Sequence, residues 1–180
     1  MNFVYNDGGR AAAGYRGHTG DCVTRSIAIA TGMSYQEVYD ALNALAARER
    51  TGKRIRKRSN ARTGVRMDTA RRYLKSIGWR WVPTMAIGQG CKVHLADGEL
   101  PMGRLVVQVT RHLTAVIDGV IHDNHDPQRE SSEQILEREV DYVLAAGERL
   151  VGRYTAFGKS TIQVARPIGG RCVYGYFVKE

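Results

Sequence analysis

The sequence contains one cysteine and one histidine whose surroundings favour covalent chemistry. Cys22 follows Asp21, a candidate N-cap, at the start of the apolar stretch 22–31. A thiol in the first turn of a helix faces the positive end of the helix dipole and unpaired N–H groups, which lower its pKa. His112 begins a predicted strand about ninety residues later. An imidazole beside the thiol would complete a thiolate–imidazolium pair, the arrangement that makes a cysteine nucleophilic.

The segment after His112 predicts which residue orients the imidazole. The dipeptide Asp118-Gly119 lies between apolar runs and is typical of a two-residue hairpin turn. With that turn, Asp123 lies on the same face as His112 and diagonally across from it, within side-chain reach. A one-residue bulge would put Asn124 in that place. We therefore expect Asp123 to orient His112, with Asn124 as the alternative.

The elements that must position these residues form an α+β pattern, with helices first and strands afterwards. The first 20 residues are rich in glycine and predict an irregular arm. Helices are predicted from Cys22 to Thr31, ended by Gly32, from the capping box Ser34–Glu37 to about Ala47, and from a cap at Asp68 to Lys75. Strands are predicted at 79–82, 104–109, 112–117, 120–124, 153–156, 161–165 and 171–178. The acidic run at about 131–150 predicts an amphipathic helix, inserted in a single domain of residues 1–180.

Three short motifs follow one another around these residues. Gly20-Asp21-Cys22 opens a helix, Leu-Pro-Met-Gly-Arg-Leu-Val-Val precedes the strand His112-Leu-Thr-Ala-Val-Ile, and Asp123 and Asp126-Pro127 follow it. Over roughly residues 17–32 and 100–127 they resemble the papain-like cysteine peptidase superfamily, particularly its peptidase C39-like branch. The resemblance implies a papain-like α+β fold with N-terminal helices packed on an antiparallel β-sheet. It also implies a cysteine peptidase or amide or isopeptide hydrolase with Cys22 as nucleophile, His112 as general base and acid, and Asp123 as orienting group.

The resemblance also implies a donor for the oxyanion, and here the sequence departs from the pattern. Papain-like enzymes usually place a glutamine a few residues before the cysteine, whereas residues 15–20 contain none. The residues that could substitute beside the Cys22 backbone N–H are His18, Thr19 and the distant Gln89. No cofactor is needed for this chemistry, and a protein or peptide is the expected substrate.

A second resemblance covers other segments of the chain. Gly-Trp-Arg-Trp, Gly-Gln-Gly-Cys-Lys-Val-His and His-Leu-Thr-Ala-Val-Ile-Asp-Gly-Val-Ile-His-Asp are similar to segments of phage and prophage proteins without an established function. This likeness implies a phage protein that acts in the cytoplasm of a bacterial host.

The positive charge of the chain is concentrated in one segment. The formal net charge is +9, yet residues 48–80 alone sum to +11. Residues 48–66 contain two glycines and no apolar period, which predicts an exposed basic loop, mobile unless a partner orders it. Such a loop favours polyanions, and the candidate contacts are Arg54, Arg56, Lys57 and Arg58. The alternative function is therefore a non-catalytic phage accessory protein that binds host protein or nucleic acid.

The remaining cysteines predict neither a disulfide framework nor a metal site. Three cysteines are an odd number in different contexts; Cys172 lies in an alternating strand, and Cys91 lies in a glycine-rich loop with no base beside it. Cys91-x-x-His94 and His122-x-x-His125 carry ligand types that zinc accepts. Because residues three apart on a strand face opposite sides, we expect no metal there.

Composition limits the class of protein. The chain has 180 residues, 43% of them apolar and 25% charged, as in ordinary globular domains rather than disordered or fibrous chains. No run approaches the roughly 18–20 apolar residues of a membrane span. The N-terminal residues lack the basic-then-apolar pattern of a signal peptide, so we expect a cytoplasmic protein without membrane contact.

Overall fold

The fold is of the α+β class. A computed structural model describes residues 1–17, 19–53, 56–128, 131–144, 148–156 and 159–180. The helices are α1 (Cys22–Thr31), α2 (Tyr35–Ala47) and α3 (Met67–Ser76). The strands are β1 (Asn2–Tyr5), β2 (Trp79–Pro83), β3 (Arg104–Val109), β4 (His112–Ile117), β5 (Val120–Asp123), β6 (Ser131–Glu139), β7 (Arg149–Ala156), β8 (Lys159–Gly169) and β9 (Val173–Lys179). Two of the predicted site residues, His18 and Arg54, lie outside the described residues.

The described strands form two sheets. The larger sheet has six strands in the order β1-β5-β4-β3-β9-β2, and the smaller has three in the order β6-β8-β7. None of the described helices combines the length and apolarity needed to cross a lipid bilayer.

The termini of the helices are set by the residues that the sequence indicates. Ser34 forms the predicted capping box at the start of α2: its side chain accepts from the Glu37 N–H, and the Glu37 carboxylate accepts from the Ser34 N–H at 3.0 Å. Gly32 ends α1 in the left-handed conformation, with φ of 77°, and its N–H donates to the Ala28 carbonyl. Asp68 lies inside the first turn of α3 rather than capping it.

Alternating side chains divide the core between the two faces of the six-stranded sheet. The helices pack on the face that carries Val106, Leu113 and Phe177. Leu105, Val107 and Val116 point to the opposite face, where they form a second apolar cluster. This alternation gives the sheet two buried faces, and it fixes the register of every strand that contributes to both.

The predicted hairpin of β4 and β5 is confirmed. Ile117 pairs with Val120 and Val116 with Ile121, so the two residues between the strands are Asp118 and Gly119. Asp118 has a positive φ of 47° and Gly119 a φ of 78°, as a type I′ turn requires.

The prediction of a purely antiparallel sheet is wrong. Asn2–Tyr5, predicted as part of an irregular arm, forms β1 and pairs in parallel with β5 along its whole length. The sheet is therefore mixed. The short apolar segment Phe3-Val4 carries no periodic signal of its own, and it becomes a strand because the free edge of β5 accepts its backbone hydrogen bonds.

The prediction of a helix at 131–150 is also wrong. Residues 131–139 form β6, which pairs with β8 over its full length, from Ser131 opposite Gly169 to Glu139 opposite Thr161. Residues 149 and 150 begin β7, on the other side of β8. The central strand buries Ile162 and Val164. Long-range pairing thus overrides a local pattern that suits a helix equally well.

The prediction that the cysteines form no disulfide is wrong for two of them. Cys91 and Cys172 are bonded, with their Cα atoms 5.9 Å apart. An antiparallel bridge between His94 and Cys172 brings the Cys91 loop against the start of β9. The sequence separation of 81 hides this proximity in the sequence. The bond also removes Cys91 from any zinc ligand set.

The basic segment is fixed at both of its ends. Glu49 is buried and accepts from the Ser59 N–H at 2.7 Å. The Ala61 N–H donates to the Asn43 side chain, and the Ala61 carbonyl accepts from the hydroxyl of Thr24 at 2.7 Å. Within the predicted exposed loop, Ser59 and Ala61 are therefore buried, whereas Arg62, Thr63 and Gly64 are exposed as expected. The exposed basic side chains of its described tip are Arg56, Lys57 and Arg58.

Gly175 in β9 is required by a close approach of Trp81. A Cβ atom at position 175 would lie 2.3 Å from a carbon of the Trp81 ring and 2.6 Å from the Val82 carbonyl oxygen. We predict that Gly175→Ala lowers the free energy of unfolding by about 1–3 kcal/mol, because the ring or strand must move. Urea denaturation measures this change.

Gly152→Ala is the matched control for this substitution. It also lies in a strand, but a Cβ there would meet nothing closer than the Gln163 side chain at 3.8 Å. We expect its effect to stay within about 0.5 kcal/mol. Equal effects at the two positions would show that Trp81 does not restrict residue 175.

Candidate active site

The predicted nucleophile lies where a helix begins beside the sheet. Cys22 is the first residue of α1, it is half-buried, and it is the one free cysteine among the described residues. The helix packs against β4, the strand that His112 begins. The thiol therefore sits at the positive end of a buried helix and faces the edge of the hairpin.

His112 and Asp123 meet as the hairpin register predicts. Nε2 of His112 lies 2.7 Å from Oδ2 of Asp123, the last residue of β5. Both side chains are largely buried, with exposed fractions of 10% and 4%. Since Asp123 holds Nε2, the other ring nitrogen remains for the hydrogen bond between His112 and the Cys22 sulfur. The structure thus brings together all three residues predicted as a triad.

Asn124, the alternative orienting residue, does not contact the imidazole of His112 through its side chain. Its side-chain oxygen accepts from Arg25 at 3.0 Å and lies 2.8 Å from Nδ1 of His125. Its backbone N–H donates to Oδ1 of Asp123 at 2.7 Å. No bulge interrupts the β4–β5 pairing, so Asp123 keeps the position beside His112.

Charge and burial shift the pKa values of the three residues in a coordinated way. Burial raises the pKa of the Cys22 thiol, but His112, the backbone N–H of Leu113 and the charge of Arg25 together outweigh it, and the net pKa lies below its ordinary value. Burial lowers the pKa of His112, but Asp123 and Cys22 together raise it to about 9. Burial raises the pKa of Asp123, and its bond to His112 brings it below the usual range. These shifts favour a thiolate, an imidazolium and a carboxylate near neutral pH.

A buried arginine, which the sequence analysis did not identify, supports this arrangement. Arg25 is 4% exposed, and its Nη1 is hydrogen-bonded to Asp21. Its Nη2 lies 3.6 Å from Oδ1 of Asp123. Arg25 thus connects the residue before Cys22 with the residue that orients His112. The sequence indicated this pair only through its spacing, because Asp21 and Arg25 are four residues apart at the start of a predicted helix.

Asp21 serves this network instead of capping α1. It makes no side-chain capping bond to the helix. Its Oδ2 accepts from the Tyr35 hydroxyl at 2.7 Å and lies 3.0 Å from Nε of Arg10. The predicted N-cap is therefore a buried counter-ion, flanked by two guanidinium groups and a phenol.

A cavity of about 260 Å³ opens beside the thiol. Cys22, His112 and Gln108 contribute to its wall, and the end of the basic segment closes the opposite side with Gly64 and Val65. We call it the thiol cavity.

Of the predicted oxyanion donors, Thr19 and Gln89 do not line this cavity, and His18 lies outside the described residues. The Thr19 hydroxyl donates to the Arg62 carbonyl. Gln89 is exposed, and its oxygen accepts from Nζ of Lys92 at 2.6 Å. Gln108 of β3 does line it, and its buried Oε1 has no hydrogen-bond partner among the described residues. Because Gln108 lies far from Cys22 along the chain, sequence spacing gave no indication of it.

A metal site was not expected, and the zinc set considered in the sequence is not assembled. Cys91 is disulfide-bonded, as described above. A different group, His112, Asp123 and His125, has ligand atoms within 4.8 Å of one another. In this group the bond between His112 and Asp123 already uses one ligand atom of each. Its residues therefore fit a histidine–carboxylate pair with a neighbouring His125 ring.

Comparison of the chain with models of protein families, with curated proteins and with solved structures found no match. A half-buried thiol at a helix N-terminus, an imidazole beside it and a buried carboxylate behind the imidazole are the parts of a cysteine nucleophile.

The pH dependence of thiol alkylation tests the pairing of Cys22 with His112. We predict that iodoacetamide labels Cys22 with an apparent pKa below the ordinary thiol value, because the imidazolium stabilises the thiolate. In His112→Ala burial remains without that charge, so the apparent pKa rises relative to the wild type. Peptide mass mapping gives the labelling rate, and unchanged rates in the variant would contradict the pairing.

The stability of an Arg25 variant tests the buried network. Arg25→Leu leaves Asp21 and Asp123 without the guanidinium that both face, so we predict a loss of about 3–5 kcal/mol in unfolding free energy. Urea denaturation measures it. Arg72→Leu, an exposed arginine of α3, is the control and should change stability by less than about 1 kcal/mol. A similarly small loss for Arg25→Leu would show that the buried network does not stabilise the fold.

Proposed function

We propose that the protein is a papain-like cysteine hydrolase of the peptidase C39-like type, which cleaves or transfers amide or isopeptide bonds. The observation that carries this proposal is the convergence of Cys22, His112 and Asp123 from a helix and both strands of one hairpin. The three groups stand in the order nucleophile, base and orienting carboxylate that acyl transfer requires.

The reaction proceeds through a thioester. The Cys22 thiolate attacks the carbonyl carbon, and a carbon–sulfur bond forms while the carbonyl oxygen takes up the negative charge. The C–N bond then breaks, and the His112 imidazolium gives its proton to the leaving nitrogen. A water molecule next loses a proton to neutral His112 and attacks the thioester, which releases the acid and restores the thiolate and the imidazolium.

The surrounding residues have defined parts in this scheme. Asp123 fixes the His112 ring through Nε2 and stabilises its positive charge. The backbone N–H of Cys22, in the first turn of α1, can donate to the carbonyl oxygen as its charge develops. Gln108 reaches the same cavity from β3 and replaces the expected upstream glutamine as the nearest amide side chain in its wall.

The resemblance to phage and prophage proteins suggests where such an enzyme acts. We propose a phage protein in the cytoplasm of a bacterial host, with a host protein or peptide as substrate. The Cys91–Cys172 disulfide is more typical of oxidising compartments, and so does not support the cytoplasmic part of this proposal.

A second function has one observation in its favour. Arg56, Lys57 and Arg58 are all exposed at the tip of the basic segment, and no acidic side chain pairs with them among the described residues. A non-catalytic protein that binds nucleic acid or an acidic protein through this tip would retain its affinity in Cys22→Ala and lose it steeply with salt.

Peptide cleavage by defined variants tests the hydrolase. We predict that the wild-type protein produces new C-termini in a peptide library derived from a bacterial proteome, as identified by mass spectrometry. Cys22→Ala should abolish them, and Asp123→Asn should lower the rate by about 10²-fold or more, because the imidazolium loses its carboxylate.

Asp126→Asn is the control for Asp123→Asn. Asp126 is an exposed carboxylate three residues away that bonds to Gln128 and does not contact His112. Its rate should equal that of the wild type. Cleavage that persists in Cys22→Ala would refute the proposed mechanism.

A further inference from the structure

A groove leads away from the thiol cavity along the sheet. Gln108 lines both the thiol cavity and a second cavity of about 420 Å³. Arg71 and Trp81 line that second cavity and also a third, of about 430 Å³. Because each cavity shares wall residues with the next, the three are adjacent, and together they extend from Cys22 to the edge strand β2. We call the second and third cavities together the Trp81 groove.

The floor of the Trp81 groove is built from fixed aromatic groups. The Trp81 ring packs against Phe177 with centroids 4.7 Å apart, and it lies over Gly175. The Arg71 guanidinium covers the ring at 4.7 Å from its centroid. Among the described residues, Arg71 makes no hydrogen bond or ion pair, so its N–H donors remain available to a ligand. The ring holds this cation in place without neutralising it.

The charge of the groove is almost entirely positive. Within the described part of the chain, Arg71 is the only charged residue that lines the second cavity. In the third cavity, Arg71 is joined by Lys75 and Arg80, against the single acid Glu180. The thiol cavity adds Arg111 beside His112, and no acidic side chain is found among its described lining residues. A ligand that spans these cavities meets cations along its length, which favours negative charge.

Three features favour a polypeptide over a nucleic acid as that ligand. Trp81 has Phe177 on one side and Arg71 over the ring, so a base finds little open face on which to stack. Met85 and the fully exposed Ile87 border the second cavity and offer apolar contacts, which suit a side chain such as leucine. A strand-like peptide also has a place to pair, because β2 is at the edge of the six-stranded sheet.

We propose that the Trp81 groove binds an extended acidic segment of the protein substrate and that Arg71 determines this specificity. The proposal rests on the proposed function, because the bound segment belongs to a substrate only if the protein is a hydrolase. The binding itself does not require catalysis. A carboxylate of the segment pairs with Arg71 over Trp81, and an apolar side chain contacts Met85 and Ile87. The chain then passes Gln108 and presents a carbonyl group to Cys22.

Peptide binding to a non-catalytic variant tests the groove. In a Cys22→Ala background, fluorescence anisotropy compares a labelled peptide of Glu and Leu residues with the same peptide in which Gln replaces Glu. We expect the acidic peptide to bind at least about fivefold more tightly, and Arg71→Gln to remove most of that difference. Arg72→Gln is the matched control, because Arg72 is exposed on the same helix but does not line the groove.

Two results would overturn the proposal. One is an equal loss of affinity in Arg71→Gln and Arg72→Gln, which would indicate a general charge effect. The other is tighter binding of a single-stranded oligonucleotide than of the acidic peptide, with the same dependence on Arg71, which would assign the groove to nucleic acid.

Alkylation of Cys22 separates this proposal from the hydrolase itself. Chloroacetyl groups on the acidic and neutral peptides should label wild-type Cys22 at different rates, with the acidic peptide faster, and Arg71→Gln should equalise them. If small iodoacetamide fails to label Cys22 while Arg71-dependent peptide binding persists, the hydrolase fails and the groove stands. If iodoacetamide labels Cys22 but the acidic peptide has no advantage, the groove proposal fails alone.

Discussion

One buried charge, the guanidinium of Arg25, constrains the positions of the helices and of the β4–β5 hairpin. A charged group can be removed from water only when hydrogen bonds and opposite charges surround it. Asp21 provides these from the start of α1, and Asp123 and Asn124 provide them from the end of β5. The same guanidinium therefore ties the nucleophile's helix to the orienting carboxylate. Displacement of either element would leave a buried charge without a partner.

This constraint explains why the site can hold three ionised groups in a small space. Asp123 stabilises the imidazolium of His112, and the imidazolium stabilises the Cys22 thiolate. Asp21 in turn is shared by Arg25, Arg10 and Tyr35, and this sharing balances the charge next to Cys22. The charges of these residues alternate in sign, so each residue depends on its neighbour. The network around Arg25 and the triad therefore act as one unit.

The sequence was informative where the deciding interactions are local. The capping box at Ser34, the left-handed Gly32 and the turn at Asp118-Gly119 all follow from short-range chemistry, and the hairpin register alone placed Asp123 beside His112. Long-range contacts were less accessible. β6 forms because β8 pairs with it from more than twenty residues away, and Cys91 meets Cys172 because its loop crosses the start of β9.

The candidate site shows the same division between local and distant information. Cys22, His112 and Asp123 could be predicted from a helix start and a hairpin, whereas Arg25, Gln108 and the Trp81 groove depend on packing between distant segments.

The proton state of His112 is the central physical claim, and nitrogen-15 NMR of the imidazole measures it directly. We predict a doubly protonated His112 ring at pH 7.5, with a pKa near 9 that is lower in Asp123→Asn. A ring that is already neutral at pH 7.5 in the wild type would contradict it.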